Sequence, residues 1–125
     1  MNGPRERPVR VLVVEDDERL LFAITEALND AQYETRVAVD GHAAIQKLAT
    51  FTPDVIVLDL MMPFVSGFEF LNWLKGNGHR IPVVLSTNAD EYSAQGLGAD
   101  VMLSKPFTLE RLLEAVAVAL KGKSP

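Results

Sequence analysis

Short apolar runs rich in β-branched residues alternate along this chain with stretches of helical period. Val9 to Val14, Val55 to Leu58 and Val83 to Leu85 are apolar without alternation, the pattern of strands buried on both faces. Two weaker runs, Thr35 to Val39 and Val101 to Leu103, bring the predicted strands to five. Between the first two strands, Glu18 to Asn29 sets Leu21, Ile24 and Leu28 on one stripe behind Asp17, a capping residue. A second helix is predicted after Asp40 with Ala44, Ile45 and Leu48, and a third after Gly67 with Leu71 and Leu74. A fourth, short one is expected between Asp90 and Leu97. The fifth follows Thr108, with Leu109, Leu112, Leu113, Val116 and Leu120 as its buried stripe.

Strand followed by helix, five times over, predicts an α/β fold. Its core is a doubly wound five-stranded parallel sheet with helices on both faces, because parallel strands need right-handed crossovers. At 125 residues, 48% of them hydrophobic and 23% charged, the chain can bury one core and shows no sign of pervasive disorder. We expect a disordered N-terminal tail at 1–8, one folded domain at 9–120 and a C-terminal tail at 121–125. The polar N-terminus lacks the apolar run of a secretory signal, and no apolar run approaches the length of a membrane span. There is no Cys, which removes disulfides, thiolate metal sites and cysteine nucleophiles and is compatible with a reducing, cytoplasmic setting. A net charge of −5 without a Lys/Arg cluster makes direct nucleic-acid binding a poor expectation.

Candidate chemistry collects at strand ends. Glu15-Asp16-Asp17 follows the first strand, and three adjacent carboxylates repel one another unless a cation sits among them. Taken alone, that cluster favours the plainer reading, a helix cap flanked by solvated acids. Asp59 changes the balance: it ends the run Val55-Ile56-Val57-Leu58, where a lone charge is costly unless it emerges at the sheet edge with a partner. In open α/β sheets, ligands bind outside the carboxyl ends of the strands, where the strand order reverses. With a 2-1-3-4-5 order, Asp16 and Asp59 sit on neighbouring strands across that reversal. Thr87 after the fourth strand and Lys105 after the fifth complete the set, so strands one, three, four and five each deliver a polar side chain to one rim. Glu15, Asp16 and Asp59 against Lys105 leave an excess negative charge that a divalent cation would neutralise. Oxygen-only ligands point to a hard ion, and Mg2+ fits. A carboxylate nucleophile at Asp59, a hydroxyl, an ammonium and a metal together suit phosphoryl transfer.

Four motifs, in order, resemble those of response-regulator receiver domains of two-component signalling, the chemotaxis-regulator type. They are Val13-Val14-Glu15-Asp16-Asp17, Asp59-Leu60-Met61-Met62-Pro63 with Ser66-Gly67, Pro82-Val83-Val84-Leu85-Ser86-Thr87, and Lys105-Pro106-Phe107. The resemblance covers about Val9 to Leu120 and implies a flavodoxin-like fold. It implies Asp16 as the main side-chain metal ligand, Glu15 acting partly through water, and Asp59 as phospho-acceptor and ligand. It also implies that Met61 offers its backbone carbonyl to Mg2+, that Thr87 and Lys105 contact phosphoryl oxygens, and that the bond before Pro106 is cis. The implied donor is a phosphohistidine on a sensor histidine kinase or phosphotransfer protein. The domain would catalyse its own phosphorylation and dephosphorylation rather than act as an enzyme on other substrates. A downstream protein partner is implied but not identified, a weak dimer stays open, and neither membrane nor nucleic acid is an expected direct partner.

Three departures bear on signal output. Met102 stands three positions before the lysine, where the family often has an aromatic residue. Asn88 is larger than the small residue that usually follows the threonine, and the stretch from Thr87 to Lys105 is short by about one helical turn. Gly96 and Gly98 weaken any helix there. These departures support an alternative, a receiver-like protein–protein docking module independent of phosphorylation. A magnesium-dependent hydrolase with an aspartyl nucleophile would want a second acid two residues past Asp59, where Met61 stands. A flavin-binding domain would want a phosphate-cradling loop where Glu15-Asp16-Asp17 repels phosphate. His42 and His79 are expected on the surface, Trp73 partly packed, Met61 and Met62 packing through their side chains, and Thr108 capping a helix. Phe64 either guards the site or fills a gap.

Overall fold

A computed structural model describes residues 7–62, 66–88 and 98–122. Among these, five strands and four helices follow one another as β1 (Arg10–Val14), α1 (Glu18–Asp30), β2 (Glu34–Ala38), α2 (Gly41–Leu48), β3 (Val55–Asp59), α3 (Gly67–Gly76), β4 (Val83–Thr87), β5 (Val101–Ser104) and α4 (Leu109–Lys121). The strands form one sheet in the order β2-β1-β3-β4-β5. Every described pairing is parallel. The α/β class, the strand order and the strand positions agree with the pattern of the chain. The short helix expected between Asp90 and Leu97 and the role of Phe64 lie outside the described residues.

Alternation along the strands splits the interior into two layers. Leu12, Val14, Ile56, Leu58, Val83 and Leu85 pack with Phe70, Leu71 and Leu74 on the face covered by α2 and α3. Val11, Val13, Val55, Val57, Val84 and Leu103 pack with Ile24, Leu28, Leu112 and Val116 under α1 and α4. β1, β3 and β4 are buried on both sides, which is why they read as unbroken apolar runs. The edge strands β2 and β5 are partly exposed and carried weaker patterns for that reason.

The helix starts follow side-chain chemistry. Asp17 accepts from the N–H groups of Arg19 and Leu20, Asp40 from that of Ala43, and Thr108 from that of Arg111. Ser66 and Glu69 form a reciprocal capping box at α3. Leu109 departs from its expected place in the buried stripe: it is 43% exposed. The stripe of α4 instead runs Leu112, Ala115, Val116 and Ala119, spaced by three and four residues, and the first turn stays outside it.

At the opposite edge from the strand ends, Arg7 and Asp54 form an ion pair at 2.9 Å, and Asp54 also accepts from the N–H of Arg10 at 2.8 Å. The guanidinium of Arg7 is held above its usual range by the hydrogen bond and charge of Asp54.

Candidate phosphoryl-accepting site

β1 ends at Val14, and the next residue, Glu15, still donates its N–H to the carbonyl of Ala38 at 3.0 Å. The carboxylate of Glu15 is thereby held against the sheet and is 2% exposed. Asp59 closes β3 and is 4% exposed, while Asp16 is exposed. Ligand oxygens of Glu15, Asp16 and Asp59 all lie within 4.8 Å of one another. That distance lets one ion touch all three.

Lys105 completes the rim. Its Nζ lies 3.1 Å from Oε1 of Glu15 and 3.4 Å from Oδ1 of Asp59. Two backbone donors assist: the N–H of Asp17 donates to Oε2 of Glu15 at 3.1 Å, and that of Met61 to Oδ1 of Asp59 at 3.2 Å. Met61 contacts Asp59 through its amide, and its side chain is exposed rather than packed as expected. Met62 is buried as expected. The peptide between Lys105 and Pro106 is cis.

The electrostatics follow from burial. Loss of water pushes the Asp59 carboxyl up to about 7, and the charge of Glu15 pushes the same way; Lys105 and the Met61 N–H pull it down, and a contact with Asp16 raises it further. For Lys105, burial opposes the charged form, yet the charges of Asp59 and Glu15 outweigh it and hold the ammonium above its usual range. Three carboxylates against one ammonium thus leave the pocket short of positive charge, a deficit met by a proton on Asp59 or by a cation. Because the donors are all oxygen, the cation they suit is hard.

Thr87 is buried at the end of β4, and its carbonyl accepts from the N–H of Lys105 at 2.8 Å. Asn88 is exposed and joins Asp17, Leu20, Lys105, Pro106 and Phe107 in a groove of about 300 Å³ beside the carboxylates. Met102, in register with Leu85, is half-buried on the α2/α3 side. His42 and His79 are exposed, away from the rim, and His79 stacks on Trp73, whose indole also faces Phe70.

Comparison with known proteins settles the family. Residues 11–117 match the family described as the response regulator receiver domain. The chain belongs to that family. The receiver domain is 38% identical over 122 residues to the response regulator MprA of Mycolicibacterium vanbaalenii, covering 94% of this chain and 53% of that protein. It is likewise 38% identical over 121 residues to MprA of Mycobacterium tuberculosis. The chain spans about half the length of these curated relatives. Among solved structures, the receiver domain of the Francisella response regulator 1452 matches with a TM-score of 0.83 at 29% identity, over 92% of this chain and 99% of that one. The Vibrio cholerae chemotaxis protein CheY4 matches with a TM-score of 0.82 at 31% identity, over 90% and 99%. This is a module of two-component signalling, in which receiver domains are the partners of histidine kinases, and not a classical enzyme family. Its acidic triad could bind a metal and is consistent with a phosphorylation site. Among the described residues, no helix is long and apolar enough to cross a membrane.

One residue on the rim was not singled out from the sequence. Ser86 follows the apolar run Val83 to Leu85 within β4, next to Asp59, with which it is in register. A hydroxyl in a run otherwise built for burial on both faces is the signal that could have marked it.

Proposed function

We propose that this receiver domain takes a phosphoryl group onto Asp59, with Mg2+ held by Glu15, Asp16, Asp59 and the carbonyl of Met61. The supporting observation is the cluster of Glu15, Asp16 and Asp59 oxygens within 4.8 Å, with the Lys105 ammonium 3.4 Å from the acceptor. When bound, the metal would offset the surplus negative charge and polarise phosphoryl oxygens. An oxygen of Asp59, ionised, forms the new bond to phosphorus as the phosphorus–nitrogen bond of a donor phosphohistidine breaks, giving an aspartyl phosphate. Lys105 is already beside the acceptor and takes up charge developing on one equatorial oxygen; Thr87 offers its hydroxyl to another. The groove past Asn88, Pro106 and Phe107 is the open approach for the donor's side chain.

The donor is a sensor histidine kinase or a phosphotransfer protein, in a cytoplasmic setting, and the domain itself provides the catalysis of phosphorylation and of slow hydrolysis. The test is incubation with acetyl phosphate and Mg2+ followed by intact-mass measurement. One added phosphoryl group is expected, lost in Asp59→Asn and on chelation. A folded protein whose mass never changes would favour the docking-module alternative.

A further inference from the structure

Ser86 is 1% exposed, and its Oγ has no hydrogen-bond partner among the described residues. A buried hydroxyl without a partner is costly, and most such groups in folded proteins are paired. Its position gives the omission a meaning. Val84 packs under α1 and α4, so alternation sends Ser86 to that same face and Thr87 to the other. On β3, Val55 and Val57 share that face, which puts Asp59 there too, in register with Ser86. Val11 and Val13 place Glu15 likewise, and Val101 and Leu103 place Lys105. At the carboxyl ends of β1, β3, β4 and β5, Glu15, Asp59, Ser86 and Lys105 thus fall on one face of the rim.

Lys105 explains the burial. It leaves β5, yet its ammonium contacts Asp59 on β3 and Glu15 beyond β1. With strands about 4.8 Å apart, its methylene stem has to pass over the end of β4, where Ser86 lies. Ser86, in register with Asp59, therefore lies buried at the strand end that the lysine stem crosses.

We infer that Ser86 is a second hydroxyl of the phosphoryl-accepting site, left without an acceptor in the free domain and donating its hydrogen bond to the side chain of Asp59 once that is phosphorylated. The inference rests on the phospho-acceptor reading above. Phosphorylation adds three acceptor oxygens to the face on which Ser86 sits, while Thr87 addresses the group from the opposite face of the sheet. Ser86 makes no bond to phosphorus; it holds the product by one charge-assisted hydrogen bond.

Calorimetric titration of Mg2+-loaded wild type, Ser86→Ala and Ser86→Thr with beryllofluoride, a tetrahedral phosphoryl mimic, tests this. Ser86→Ala is expected to bind about tenfold more weakly, and Ser86→Thr, which keeps the hydroxyl, to recover most of that loss. Thermal melting of the metal-free proteins gives the second readout: Ser86→Ala is expected to melt at or above the wild-type temperature. Affinity of Ser86→Ala within twofold of wild type, or a lower melting temperature with unchanged affinity, would overturn the inference and mark the hydroxyl as structural. A wild type that binds no beryllofluoride and gains no phosphoryl mass would overturn the phospho-acceptor reading along with it.

Discussion

The ammonium of Lys105 lies 3.1 Å from Oε1 of Glu15, a residue 90 positions earlier in the chain. In the sheet, β3 and β4 stand between the strands that these two residues follow, so this single contact ties both sides of the rim across Asp59. Both carboxylates that it serves, Glu15 and Asp59, are nearly inaccessible to water. Removing one partner from such a cluster leaves buried charge uncompensated, which costs more than the bridge itself contributes.

Replacing Lys105 by Met should therefore lower the stability of the metal-free domain by about 2 kcal/mol at pH 8. Near pH 5, where Asp59 is protonated, the loss should shrink by half or more. Urea denaturation at the two pH values measures both. Adding Asp59→Asn to Lys105→Met should recover much of the deficit at pH 8. Equal stability of wild type and Lys105→Met at pH 8 would show that the bridge carries no structural weight.

The carboxyl of Asp59 supplies a separate pH dependence. Its folded value is about 7 against an ordinary 3.8, so the folded state holds a proton that the unfolded chain releases. The stabilisation from that proton is complete below about pH 4 and is lost as pH rises through 7. Without metal, the stability of Asp59→Asn minus that of wild type should thus grow between pH 4 and 7, by up to about 4 kcal/mol, and then level off. Saturating Mg2+ should reverse the ranking at pH 8, because the ion stabilises only the folded form that binds it. Mg2+ affinity of the wild type should rise with pH through the same window. A carboxyl resonance of Asp59 titrating near 4 by NMR would contradict the assignment.

The parts of this molecule legible in its sequence are those where burial leaves a one-dimensional trace. β3 announces itself because Val55 to Leu58 are covered on both faces, and Asp59 stands out because nothing apolar should end in a charge. Glu15, Asp16 and Lys105 followed from the same strand-end logic. What stayed hidden depends on three-dimensional neighbours. Leu109 continues the helical period of α4, yet period alone does not say where the packed part of a helix begins. The amide of Met61 on Asp59 and the pairing of Arg7 with Asp54 leave no periodic signature. Ser86 passed as an ordinary strand residue because its importance lies in its register with Asp59.

Asp54 should behave as a structural counterpart to the carboxylates of the rim. It is buried, pairs with Arg7 and accepts the backbone N–H of Arg10 at 2.8 Å. Asp54→Ala leaves that amide without its acceptor at the start of β1. A loss of about 2 kcal/mol is expected, with phosphorylation by acetyl phosphate unchanged in the fraction that remains folded. Chemical denaturation and intact-mass labelling, run on the same preparation, separate the two effects. A fall in labelling of the fully folded protein would mean that the far edge of the sheet communicates with the rim.

Gly67 links Asp59 to its neighbouring helix through sheer closeness. A Cβ there would sit 2.5 Å from the carbonyl oxygen of Asp59 and 2.6 Å from Cα of Leu60, both backbone atoms that cannot rotate away. The N–H of Gly67 also donates to the carbonyl of Leu60 at 3.1 Å, so α3 begins pressed against the segment that aims Asp59. Gly67→Ala must push α3 and the Asp59–Leu60 backbone apart. We expect a destabilisation of about 2–3 kcal/mol, together with weaker Mg2+ binding, since the carboxylate would move relative to Glu15 and Asp16. The control is Gly76→Ala, at the other end of the same helix, where an added Cβ meets nothing within 4 Å. Gly76→Ala should leave Mg2+ affinity unchanged and be neutral or slightly stabilising. If both substitutions altered metal affinity alike, helix propensity rather than the contact with Asp59 would be the cause.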